Sequence, residues 1–474
     1  MVLAAVSIVA VVAAACLPPK PAPKAAPAPT PAAPATTKPP SPPPPLPTTT
    51  STTTTTNPPP PSICGVSASS AGPAAAAASD AGGANPNRYT AVVKHAGRSK
   101  VLTRDVSTPA EIAKFRADAA AQGQVLAFAQ DGEVHALAET PTWGFTDANF
   151  ATAWTEPTAT TGTGVRVAVL DTGVLAGHPD LSGHFDATPG ADFTASTTTP
   201  TLGVTTDPNG HGTHVSGILA ATAGNNAGVE GGAPGVTLVP VRVLDSSGAG
   251  SYATVAAGIL WAADKTKGNA RVLSMSLGGG DDGDTVGAAL ATIEDPANTQ
   301  YTHPAVVIAA GNSGCQATSY PAAYAGPNKY EPALTKTGFA QVIAVSALCK
   351  PGTTGSCPSA NPFPSDAWRL ATFSSLAWNV SGNGIAAPGT EINSTWPSGD
   401  QGVVADYNIL SGTSMATPFV AAAAALVTAH CGSAETGAQV VARLEASAHD
   451  LGPAGVDKLY GSGMVDADNA VKGC

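Results

Sequence analysis

Five apolar runs rich in β-branched residues punctuate the chain after residue 160: residues 164–170, 236–244, 270–275, 305–309 and 342–347. Each is near-continuous, which predicts strands buried on both faces, as in a parallel sheet. Helical stretches lie between them, for example residues 253–265. The stretch 415–430 is almost wholly apolar and predicts a helix buried on every side. Strand and helix in alternation predict an α/β architecture, with helices on both faces of a mostly parallel central sheet. Reactive groups gather at the carboxyl ends of strands in such folds. Asp171 stands just past the first run.

Before this region the pattern changes. Residues 89–93 predict a strand. Thr108-Pro109-Ala110-Glu111 predicts a helix start, with Thr108 as cap, Pro109 at the first position and Glu111 three residues after the cap. That helix runs to about residue 121 and stops near Gly123. Residues 125–130 and 133–138 flank Asp131-Gly132, a hairpin signal. A small α+β unit is expected. Residues 17–62 are mostly Pro, Thr, Ala and Ser and bury no core. Their proline run favours an extended spacer. Residues 1–15 are apolar apart from Ser7 and end in Ala13-Ala14-Ala15 before Cys16, as secretory signals do, although no Lys or Arg precedes them. The expected organisation is a signal over residues 1–16, a linker over 17–62, an N-terminal unit over 63–140 and one large domain over 141–474.

Composition narrows the function. Only 12% of the 474 residues are charged, and the net charge is −11, which argues against nucleic acid as partner. No His/Cys cluster has zinc spacing. Seven cysteines leave one over if the rest pair. Lipid on Cys16 would leave six, with 15 connectivities open. Cys349 with Cys357, Cys431 with Cys474 and Cys64 with Cys315 is one of them.

Three segments carry the chemistry. Val167-Ala168-Val169-Leu170-Asp171-Thr172-Gly173, His211-Gly212-Thr213-His214-Val215-Ser216-Gly217 and Gly412-Thr413-Ser414-Met415-Ala416-Thr417-Pro418 supply an acid, a base and a nucleophile in that order. A Ser hydroxyl needs a base to take its proton as it attacks. His suits that task, and a carboxylate fixes its tautomer. These blocks resemble those of subtilisin-like serine peptidases, over residues 141–474. The resemblance implies the three-layer subtilisin-like fold and a serine endopeptidase that works through an acyl-enzyme, with no cofactor needed for catalysis. Ser414 would be the nucleophile, His211 the base and Asp171 the orienting carboxylate. His214 matches a structural histidine of the family motif. Asn312, in Ala309-Ala310-Gly311-Asn312-Ser313-Gly314, matches the family's oxyanion donor, with the Ser414 N–H as second donor. The helix after Ser414 would aim its positive end at the same place.

Further expectations follow from the resemblance. Gly248, Gly250, Ser276, Leu277 and Gly278 match segments that pair with an extended protein or peptide substrate. Ser319 would line the primary specificity pocket. Asp180, in His178-Pro179-Asp180-Leu181, matches a calcium ligand of some relatives, but its partner loop, 223–227, is about one residue short of the calcium pattern. The N-terminal unit resembles a shortened prodomain, an intramolecular inhibitor; a permanent accessory domain is the alternative. Cys16 resembles a bacterial lipoprotein processing site, which would tether the protein to the cell surface, with plain secretion as the other outcome. A catalytically dead binding protein on this fold is the competing functional class, and it expects lost triad residues, of which there are none.

Overall fold

The computed structural model describes residues 88–474, apart from 96–97, 131–140, 157–159, 189, 281–283, 317, 327–337, 351–355, 359–366, 378–382, 399–403, 433 and 473. The signal, the linker, Cys16, Cys64 and the expected Asp131-Gly132 hairpin lie outside the described residues.

The small unit forms a three-stranded antiparallel sheet in the order Arg98–Asp105, Arg88–His95, Gln124–Gln130. The helix Pro109–Ala120 joins its second and third strands in sequence. Its start follows expectation: the Glu111 N–H donates to Thr108 Oγ1 and the Thr108 N–H donates to Glu111 Oε2. Phe115 and Ala119 pack with Ala91 and Val93 of the sheet. The charged strand Arg98–Asp105 has no apolar run to announce it.

Among the described residues of the large domain, nine strands make one sheet. Its main order is Arg369–Leu370, Val342–Cys349, Ala305–Ala309, Val272–Met275, Arg166–Asp171, Thr237–Arg242, Ala191–Asp192, Thr201–Leu202, and Gly384–Pro388 also pairs with Val342–Cys349. The interior pairings are parallel, and the two short end strands are antiparallel. All five predicted strands are present, 305–309 to the residue and the other four with ends moved by a few residues.

Side chains alternate across the sheet, as a period of two requires. Val167 and Val169 belong to one core, and Ala168 and Leu170 to the other. The helices Tyr252–Ala263 and Thr285–Glu294 cover the second core. The helices His211–Ala220, Thr413–His430, Gly437–Ser447 and Ala467–Lys472 cover the first. This makes three layers. The helix Thr413–His430 is long and apolar enough to cross a membrane, but most of it is buried between the sheet and its neighbours. A hairpin of Ile392–Ser398 and Val404–Leu410 clamps the helix His211–Ala220. Its Ser394 and Thr395 hydroxyls donate to the carbonyls of His214 and Thr213.

Chain order sets where a cleft opens. From the central strand Arg166–Asp171 the sheet grows first to one side, through Thr237–Arg242, and then to the other, through Val272–Met275. That reversal is a topological switch point, and ligands bind beyond the carboxyl ends of strands there. Two expected disulfides are formed, Cys349–Cys357 and Cys431–Cys474, with Cα atoms 5.5 and 5.1 Å apart.

A buried carboxyl makes stability depend on pH. Burial raises Glu445 from 4.5 to about 7, against hydrogen bonds from the Gly384 N–H and the Ser462 hydroxyl. The folded state therefore holds a proton that the unfolded chain has released between those values, and stability falls as pH rises through that window. Glu445→Gln is expected to raise Tm by about 3 °C at pH 8 and to leave it unchanged near pH 4.5, read by circular dichroism.

Candidate active site

Asp171 ends the central strand at the switch point and is fully buried. Both of its oxygens face His211 Nδ1, at 2.8 and 2.9 Å. The Thr172 N–H donates to Asp171 Oδ1 at 2.7 Å. His211 opens its helix and is partly exposed, so one edge of the ring reaches the cleft. Burial works against a charged ring, but the charge and hydrogen bond of Asp171, with the charge of Asp207, outweigh it and hold His211 above the ordinary imidazole range. His214 differs: burial pushes it down to about 3, so it stays neutral, with Nε2 against the carbonyl of Asn408 at 2.9 Å.

The His211 helix has no side-chain cap at Gly210, so its first N–H groups need other acceptors. Asn209 Oδ1 takes that of His211, Thr172 Oγ1 that of Gly212, and Asp207 that of Thr213. Asp207 is fully buried and accepts from the N–H groups of Asn209, Gly210 and Thr213 and from the hydroxyls of Thr172 and Thr213. Thr172 Oγ1 in turn accepts from the Gly212 N–H at 3.0 Å. One carboxylate thus ties the loop after Asp171 to the turn that carries His211. Gly210 has φ +106°, and a Cβ there would stand 2.5 Å from the Trp396 ring. Sequence reasoning missed Asp207 and Thr172. The available signal was Asp207-Pro208-Asn209-Gly210 directly before the histidine, a turn whose Asp can accept from the N–H groups that follow.

Ser414 stands at the second position of its helix. Its hydroxyl donates to the Ser276 carbonyl at 3.3 Å. Among the described residues no hydrogen bond joins it to His211, a looseness common before substrate arrives. Asn312 follows the strand Ala305–Ala309. Its Oδ1 accepts from the N–H and hydroxyl of Thr413 at 2.9 and 3.0 Å, which fixes the amide and leaves Nδ2 to donate elsewhere. Asn312, Ser319 and Ser414 line one cavity of about 470 Å³. His211, Gly248 and Gly250 line a second, of about 520 Å³. Ser276, Leu277 and Gly278 border both. Gly311 has φ +111°, and a Cβ there would meet Ser319 Oγ at 2.2 Å, so only glycine lets these walls close up.

Asp180 lines neither cavity. Its oxygens accept from Asn225 Nδ2 at 2.7 Å, the Val229 N–H at 3.0 Å and the Tyr407 hydroxyl at 2.9 Å. Burial and this carboxylate push the Tyr407 hydroxyl well above the usual phenol value, so it stays a donor. Among the described residues no three His, Cys, Asp or Glu side chains gather as a metal site. Two hydrogen-bond donors besides a main-chain N–H do not suit calcium, which needs 6–8 oxygen ligands. The residues around Asp180 fit a hydrogen-bonded carboxylate and not a cation.

An α/β fold with an Asp–His pair at its switch point, a serine at a helix start and an amide beside it defines a class of hydrolases that act by nucleophilic attack. Residues 162–463 match the Subtilase family, and the chain belongs to it. It is a serine endopeptidase, and such enzymes need no cofactor for catalysis. It is 35% identical to thermitase of Thermoactinomyces vulgaris over 66% of this chain and 90% of that one. It is 38% identical to subtilisin of Bacillus pumilus over 66% and 92%. The solved structure of sphericase is similar with TM-score 0.53 and 32% identity, over 68% of this chain and 97% of that one.

Among the described residues Asn312 Nδ2 donates no hydrogen bond, which has a measurable consequence. Asn312→Ala is expected to lower kcat by about 10²–10³, the magnitude that loss of one oxyanion donor has in subtilisin, with KM little changed on a chromogenic peptide.

Proposed function

We propose that this subtilase is an exported endopeptidase that cuts protein or peptide chains through an acyl-enzyme on Ser414. The observation that carries this reading is the two-oxygen contact of Asp171 with His211 Nδ1 beside the cavities that Ser414 and Asn312 line. Held at Nδ1, the ring keeps Nε2 free to accept a proton. Ser414 Oγ attacks the scissile carbonyl and gives its proton to His211 Nε2. Asp171 stays ionised and stabilises the imidazolium. Asn312 Nδ2 and the Ser414 N–H receive the oxyanion. His211 then protonates the leaving amine, and water, activated by the same ring, releases the acyl group.

The main chain of Gly248, Gly250 and Ser276–Gly278 would flank an extended substrate as added strands. Ser319 would line the pocket for the side chain before the cut. The apolar leader supports export, and lipid on Cys16 would tether the enzyme at the bacterial surface. The small N-terminal unit, with a sheet and one helix, supports an inhibitory prodomain; no step of catalysis needs calcium.

The test is the intact chain beside Ser414→Ala, followed by mass spectrometry. Only the parent is expected to lose a fragment ending near residues 138–145 and to digest casein. A whole parent that still digests casein would make the unit a permanent accessory domain. Failure of both arms would refute the peptidase mechanism drawn here. The pH profile gives a second check. His211 accepts a proton only when neutral, and its pKa is raised. The acid limb of kcat/KM is therefore expected above the ordinary imidazole value of ~6.5, with activity rising as pH rises through it.

A further inference from the structure

Helix Thr413–His430 contains a proline at its sixth position, Pro418. Proline has no N–H, so the carbonyl four residues earlier, that of Ser414, lacks its regular helical donor. Two hydroxyls of this helix serve their own turns, Thr417 donating to the Thr413 carbonyl and Thr428 to that of Ala424, while the Thr413 hydroxyl donates to Asn312 Oδ1. The Ser414 carbonyl is served from outside. Ser276 Oγ, 138 positions away in the chain, donates to it at 2.8 Å. Ser276 is 4% exposed. The return contact, Ser414 Oγ to the Ser276 carbonyl, binds the same two residues a second time.

We propose that the Ser276 hydroxyl is a positioning residue for Ser414, supplying the donor that Pro418 lacks. The proposal rests on Ser414 being the nucleophile. It gives one residue two tasks: Ser276 borders both cavities, and its side chain orients the first turn of the Ser414 helix. A helix with a complete ladder would fix its own first turn. Here that turn is fixed by the segment that borders both cavities, so nucleophile and substrate track keep one register. A small tilt of that turn would displace Ser414 Oγ, and misplacement of a reacting atom is costly in rate.

A double-variant cycle tests this. Ser276→Ala is expected to lower kcat about tenfold with KM within about twofold, and to lower Tm. Pro418→Ala puts an N–H back under the Ser414 carbonyl. In that background Ser276→Ala is expected to change kcat by no more than about twofold and to leave Tm nearly unmoved. Equal losses in both backgrounds, or no loss in the parent, would overturn the proposal. Ser414→Ala belongs in the same assay: activity that survives it would refute the nucleophile reading, and with it the kinetic claim, while the Tm coupling between Ser276 and Pro418 is read either way.

Discussion

Order in the cleft begins at the Asp207 carboxylate. Without it, the N–H groups of Asn209, Gly210 and Thr213 and two threonine hydroxyls would lose their acceptor. Such groups are expensive to leave unmade. The same bonds span 35 positions of chain, from Thr172 to Asp207, and so couple the end of the central strand to the helix that packs over it. The Asp171–His211 contact is therefore a product of two elements locked together, and the negative charge of Asp207 adds to the pull that raises the His211 pKa. Position and basicity have one source.

The Ser414 side of the cleft is built on a different logic. Helix Thr413–His430 is anchored by apolar burial over most of its length, which fixes its axis but not the orientation of its first turn. Polar contacts from other loops fix that turn: Asn312 Oδ1 takes the N–H and hydroxyl of Thr413, and Ser276 serves the Ser414 carbonyl. Asn312 and Ser276 each follow a parallel strand at its carboxyl end. The sheet thus sets the geometry of both halves, through Asp171 on one and through Ser276 and Asn312 on the other.

Most of this architecture was legible in the chain. Strands buried on both faces are written as uninterrupted apolar runs, so 305–309 was placed to the residue and the other four within a few. The capping box at Thr108 was equally plain, because its bonds are local. Strand Arg98–Asp105 was hidden because half-exposed antiparallel strands carry charge and gain their place from a neighbour's register. Motif resemblance brought out His211, Asn312 and Ser414, which line adjoining cavities, and Asp171, which is buried against His211. Resemblance also suggested a cation at Asp180, and here local detail matters more than the motif: Asn225, Val229 and Tyr407 satisfy the carboxylate with hydrogens. Tyr407 is 227 positions from Asp180, a pairing no local pattern announces. Asp207 and Ser276 Oγ share that difficulty, because their roles depend on which backbone groups lack partners.

Two titrations oppose each other across the molecule. Raising the pH frees His211 Nε2 to accept a proton, and a raised pKa moves that gain upward in pH. Raising the pH also ionises Glu445, whose carboxyl is held near 7 by burial beside Gly384 and Ser462. The first change favours the proposed chemistry, and the second weakens the fold. The groups belong to different environments. The charge at His211 is balanced by Asp171 and Asp207, while among the described residues the Glu445 carboxylate meets one N–H and one hydroxyl. The base should therefore tolerate its site in either state, and Glu445 should not. Activity that keeps rising with pH in short assays, while the enzyme's lifetime shortens over the same interval, is the behaviour this arrangement produces. Replacing Glu445 by a neutral isostere would separate the two curves, because nothing in the cleft's hydrogen bonding runs through it.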